Sequence, residues 1–169
     1  MSADLPTREL DAVVYWFGVP ELRTESLVTS EGNNRWNEPG DAVVYFAGDL
    51  GVGLVEAGRH VRDGAEPEGV ERTAWAIPLR MDGLVDLREA DPREVLGLTD
   101  RYWFLDRERC QHISGRLRSS GKRGILVPSA GFPDDPQRWN LVSFDTHPES
   151  LTRLVKEARE VGRLTVRRP

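Results

Sequence analysis

At 169 residues the chain suits one domain, large enough to bury a core without disulfides or a structural metal. Its 38% hydrophobic and 30% charged residues, with five Trp among them, describe a globular chain and not a disordered one. A net charge of -5 argues against duplex nucleic-acid binding, which needs surplus Lys and Arg to displace counterions. No apolar run approaches the ~18 residues of a membrane helix, and the first residues lack the basic start and apolar stretch of a signal peptide. The expected location is therefore the cytoplasm, and the single cysteine, Cys110, agrees with a reducing compartment.

Residues 9–17 are rich in β-branched and aromatic types and predict a first strand. Gly18, Pro20 and the polar stretch 24–34 predict a loop. Pro39-Gly40 is turn chemistry, with Pro fixing φ and Gly free to take a positive φ, and it delivers the chain into a strand over 42–47. Asp49 is expected to cap a helix over 50–62 whose core-facing stripe is Leu50, Leu54, Ala57 and Val61. Strands are predicted at 72–81 and 84–87. Asp91-Pro92 reads as an N-cap followed by an N1 proline, opening a short helix.

A longer helix is predicted over 102–118, with Cys110, Ile113 and Leu117 at helical spacing and the thiol packing as a small hydrophobe. Ile125-Leu126-Val127-Pro128 reads as a buried strand running into Ser129. A strand over 139–144, a helix carrying Leu151, Leu154, Val155 and Ala158, and a strand over 164–167 complete the chain. Strands and helices without strict alternation predict an α+β fold, a mixed and mainly antiparallel sheet with flanking helices, in one domain over 1–169.

Several familiar motifs fail. His60, His112 and His147 lie far apart and none has a partner at zinc-ligand spacing, so no metal site is expected. Gly51-Val52-Gly53-Leu54-Val55-Glu56 begins like a dinucleotide fingerprint but ends on Glu56. Gly121-Lys122-Arg123 lacks the upstream glycine and the Ser or Thr of a P-loop. Val127-Pro128-Ser129-Ala130-Gly131 lacks the glycine that precedes the serine of a nucleophile elbow.

Four pieces remain: Arg35-Trp36-Asn37 with Pro39-Gly40, Val43-Val44-Tyr45, Leu54-Val55-Glu56, and Gly124-Ile125-Leu126-Val127-Pro128-Ser129-Ala130. In this order, over about residues 29–144, they resemble the RES domain, a family named for its arginine, glutamate and serine. The resemblance implies a fold related to diphtheria-toxin-like ADP-ribosyltransferases, NAD as substrate and no metal. It also implies a toxin that depletes cellular NAD by hydrolysis or phosphorolysis, with a cognate antitoxin as partner; a homo-oligomer is left open. Two departures stand out. Asn33-Asn34 replaces the usual glycine before the arginine motif, and Tyr15-Trp16-Phe17 stands where family members carry an arginine late in the first strand.

The resemblance implies Glu56, Arg35 and Ser129 as catalytic residues, and Arg35, Tyr45 and Ser129 as contacts to NAD. Trp36 and Asn37 join that binding set by shaping the loop that presents Arg35. Each residue also has a plainer reading. Glu56 with Arg59, His60 and Asp63 forms an ordinary solvated ridge, Arg35 pins its own loop, Tyr45 is core, and Ser129 is part of a Ser-Ala-Gly turn. Two rival functions stay open: a protein ADP-ribosyltransferase, and a catalytically inactive binding module that keeps the fold.

Overall fold

Where apolar residues run unbroken, a strand has both faces covered. In the strand Gly124–Pro128, Ile125 and Val127 enter one apolar cluster while Leu126 enters the opposite one. Val43–Ala47 behaves alike, with Val43 and Tyr45 on the first side and Val44 and Phe46 on the second. The structure, a computed structural model, describes residues 5–29, 33–59 and 69–166.

The strands are β1 (Arg8–Gly18), β2 (Val28–Thr29), β3 (Val43–Ala47), β4 (Val70–Asp86), β5 (Gly124–Pro128), β6 (Trp139–Ser143) and β7 (Arg159–Val166). They lie in the order β1-β3-β6-β5-β4-β7, and β1 pairs back onto β4, so five strands close into a barrel. The pairing of β4 with β5 is parallel and the other described pairings are antiparallel. Closure is uneven: β1 runs along β4 from Leu10↔Met81 to Gly18↔Thr73 but meets β3 at the single pair Tyr15↔Ala47.

The helices are α1 (Thr24–Leu27), α2 (Leu50–Arg59), α3 (Ala90–Val95), α4 (Arg107–Ser119) and α5 (Pro148–Glu157), with a 3-10 turn at Trp103–Leu105. That turn and α4 bring Trp103, Phe104, Ile113 and Leu117 against Val85, Ile125, Val127 and Val142. Leu27 of α1 with Leu151 and Leu154 of α5 covers the other face, against Val14, Phe46 and Ile77. Cys110 is fully buried, as its spacing predicts. No described helix is long and apolar enough to cross a membrane.

Several elements differ from expectation. The two strands predicted at 72–81 and 84–87 are one, because Gly83 adopts φ +69 and turns the chain without ending the strand. The predicted loop over 24–34 contains the turn α1, anchored by the buried Leu27, and the short β2. The helix predicted from 102 is divided at Asp106, whose side chain accepts the Arg109 N–H at 3.1 Å and so starts α4 there. α3 begins at Ala90, which places Asp91 inside the first turn, where its charge suits the helix dipole, and makes Glu89 the residue before it.

Asp49 does cap α2, accepting the Val52 N–H at 2.9 Å. The expected inner stripe is wrong, however. Leu50 and Leu54 are 40% and 44% exposed, and Val52, Gly53 and Gly58 are buried instead. The cause is close approach: a Cβ at Gly53 would stand 2.0 Å from the Phe17 ring, so α2 docks by its small-residue face. Val61, the fourth residue of that stripe, lies outside the described residues, as do His60, Asp63 and Arg167.

Asp86 at the end of β4 is buried and paired. It accepts Arg88 Nε at 2.8 Å and Nη2 at 2.7 Å, and Arg8 Nη1 at 2.8 Å. Burial alone would raise its pKa, but the hydrogen bonds and charge of Arg88, with Arg8, hold it below the ordinary carboxylate value. A depressed folded-state pKa contributes stability that is present above the unfolded value, about pH 4, and is lost as pH falls through the folded one. Asp86→Asn is therefore expected to melt below wild type at pH 7, with the difference shrinking as pH drops below about 4. Calorimetry across that range checks this; a difference independent of pH overturns it.

Candidate active site

A cavity of about 800 Å³ opens beside the β1–β3 seam. That volume is within the range of small-ligand sites. Arg35, Tyr45, Glu56, Arg59, Arg107 and Asn140 contribute to its lining, and Tyr15, Trp16 and Phe17 of β1 also border it. Tyr45 comes from β3, Glu56 from the face of α2 that docks, and Arg35 from the loop before β3.

Glu56 is held from behind. Its Oε1 accepts the Ser129 hydroxyl at 2.7 Å, the Asn140 amide Nδ2 at 3.2 Å and the Gly131 backbone N–H at 3.3 Å. Among the described residues no donor reaches Oε2, so one carboxylate oxygen is fixed and the other is left for a ligand. Glu56 itself is half-buried and bonded, not simply solvated, while His60 and Asp63 of the ridge lie outside the described residues. Ser129 is fully buried and its own N–H donates to the Arg138 carbonyl at 2.8 Å, so it orients Glu56 and lies behind the lining. Asn140 and the Gly131 N–H are site groups that the sequence does not reveal.

Arg35 both pins its loop and lines the cavity. Its Nη1 donates to the carbonyls of Phe104 at 3.0 Å and Leu105 at 2.8 Å. The loop itself is tied by Asn37, 1% exposed, whose Nδ2 donates to the carbonyls of Glu38 and Asp41. Gln111 of α4, also missed from sequence, donates Nε2 to the carbonyls of Asn34 and Asn37 and to Asn33 Oδ1. Trp36 is 4% exposed and meets Trp103 edge-on at 5.9 Å between ring centroids. Trp36 and Asn37 therefore shape the loop, and Asn37 does so from outside the lining.

Tyr45 lines the cavity, and its hydroxyl donates to Asn37 Oδ1 at 2.7 Å and accepts the Trp36 N–H at 3.2 Å. Burial pushes that hydroxyl well above the ordinary tyrosine range, which keeps it a neutral donor. Burial also pushes the Cys110 thiol up to about 12, and its Sγ donates to the Phe104 carbonyl; it is packing and not a nucleophile. Among the described residues no cluster of three His, Cys, Asp or Glu could hold a metal ion.

The sequence model of the RES domain matches residues 21–166. The chain belongs to the RES domain family. Among solved structures, this RES domain is similar to a chain in the crystal structure of the M. tuberculosis MbcT–MbcA toxin–antitoxin complex, with a TM-score of 0.62 and 20% identity. The likeness covers 95% of this chain and 87% of that one, and at such identity it speaks for the fold. No curated protein matches the chain by sequence. The family match takes in the loop of Arg35, helix α2 with Glu56, the start of α4 with Arg107 and the strand ends that hold Glu56.

Proposed function

We propose that this RES domain cleaves the nicotinamide–ribosyl bond of NAD by hydrolysis or phosphorolysis, and acts as the NAD-depleting toxin of a toxin–antitoxin pair. The observation that carries the reading is a carboxylate with one oxygen fixed by three donors and the other free, in a cavity it shares with Arg35 and Tyr45. Breaking the bond from the ribose C1′ to the nicotinamide nitrogen builds positive charge on the sugar. The ring leaves as a neutral base and needs no general acid. Glu56 Oε2 holds the ribose hydroxyls and stabilises the oxocarbenium-like transition state with a charge that acts most strongly away from bulk water. Water, giving up a proton to solvent, or phosphate then bonds to C1′ in place of the departed nicotinamide. The Tyr45 ring faces the cationic nicotinamide, an attraction that the neutral product loses.

The test is to incubate the purified protein with NAD, with and without inorganic phosphate, and follow free nicotinamide. Release is the expected result; intact NAD under both conditions overturns the reading. A labelled NAD added to lysate identifies a protein ADP-ribosyltransferase instead, by label on protein. A binding module without turnover is the second reading, favoured by the three aromatic residues of β1 where an arginine is usual, and is recognised by NAD affinity without nicotinamide release.

Asn140→Ala removes one of the three donors to Glu56. Nicotinamide release is expected to fall about tenfold through kcat, with KM little changed, because orientation of the acid matters most in the transition state. A change confined to KM would assign Asn140 to substrate binding.

A further inference from the structure

Three arginines line the cavity, Arg35, Arg59 and Arg107, against one acidic residue, Glu56, among the described lining residues. A chain of net charge -5 that gathers cations at one hollow favours an anionic ligand there. The three are not equivalent. Arg35 spends Nη1 on the carbonyls of Phe104 and Leu105. Among the described residues neither Arg59 nor Arg107 forms a hydrogen bond or an ion pair. A guanidinium without a protein partner keeps its whole fork of donors for two oxygens of a phosphate.

Position singles out Arg107. Leu105, whose carbonyl takes Arg35, lies two residues before it, and the Asp106 cap between them fixes the start of α4 at Arg107 itself. Arg35 and Arg107 therefore flank the same turn. Arg59 stands on α2 with Glu56, on the wall assigned to the sugar. We infer that Arg107, together with Arg35, forms the phosphate subsite of the cavity and takes the diphosphate bridge of the dinucleotide. The inference rests on the proposed NAD reading for its ligand. Inorganic phosphate offers the same chemistry, and the experiment separates the two.

Titration calorimetry at fixed ionic strength would use ADP and orthophosphate as probes against wild type, Arg107→Gln, Arg107→Lys and, as a control, the exposed Arg153→Gln of α5. ADP affinity is expected to fall about tenfold in Arg107→Gln, less in Arg107→Lys, and not in Arg153→Gln. Equal ADP binding by wild type and Arg107→Gln overturns the inference, as does wild type that binds no ADP. Loss of orthophosphate binding with ADP unaffected overturns the diphosphate assignment. If NAD proves uncleaved while ADP binding still depends on Arg107, the subsite stands and the cleavage reading falls.

Discussion

Glu56→Gln is expected to lower nicotinamide release about a thousandfold while leaving the protein folded. Glutamine keeps the shape of glutamate, and its carbonyl oxygen can accept the same bonds from Ser129, Gly131 and Asn140 that Oε1 accepts now. What disappears is the negative charge on the second oxygen. Thermal unfolding should then stay close to wild type and NAD should still bind through Arg35 and Tyr45, so the loss falls on kcat. Stopped assays of nicotinamide with a melting curve on the same preparation separate chemistry from stability. A variant that keeps more than about a tenth of the activity would falsify the assignment, because loss of a transition-state charge in a sheltered site costs far more than that.

The second large effect is on stability. Trp103 is 1% exposed, packs edge-on against Trp36 and Phe104, and carries the 3-10 turn whose carbonyls hold Arg35. Trp103→Ala removes a large buried side chain from that cluster and is expected to cost about 3–5 kcal/mol. For a chain of this size the melting temperature should drop by about 10 °C. Trp103→Phe should cost less, since it retains most of the volume and removes an indole N–H that has no partner among the described residues. Because the turn anchors Arg35, protein still folded should also show a raised KM for NAD. Calorimetry of both variants checks the order; near-wild-type melting of the alanine variant would mean that the turn does not depend on this ring.

Arg35, Tyr45 and Glu56 could be picked out because each belongs to a short segment whose residue types and order are distinctive, and the three do line one cavity. The partners that make Glu56 usable were not. Asn140 and Ser129 reach it across 84 and 73 positions through one side-chain hydrogen bond each, and such pairings leave no local pattern. Ser129 was visible as a member of a motif, but only burial reveals that its hydroxyl faces the carboxylate. Gln111 is equally silent in sequence, since any exposed helix carries amides.

Fold errors have equally specific causes. Helical periodicity finds apolar residues on α2 but not the docking face, which Gly53 decides by admitting the Phe17 ring. A glycine between two apolar runs reads as a boundary, yet Gly83 bends β4 and lets it serve β7 with its first half and β5 with its last residues. Helix propensity through Tyr102 hid the side-chain cap at Asp106.

The distance in sequence between the acid and its supports bears on when the site comes into being. A growing chain presents Glu56 on a helix whose packing partner Phe17 has already been made, yet the groups that aim it arrive from 73 to 84 residues later. Long-range closure of this kind is slow compared with helix formation. During synthesis the carboxylate is thus present but unaimed until β6 has joined, and reactivity would switch on late, with the last barrel strand.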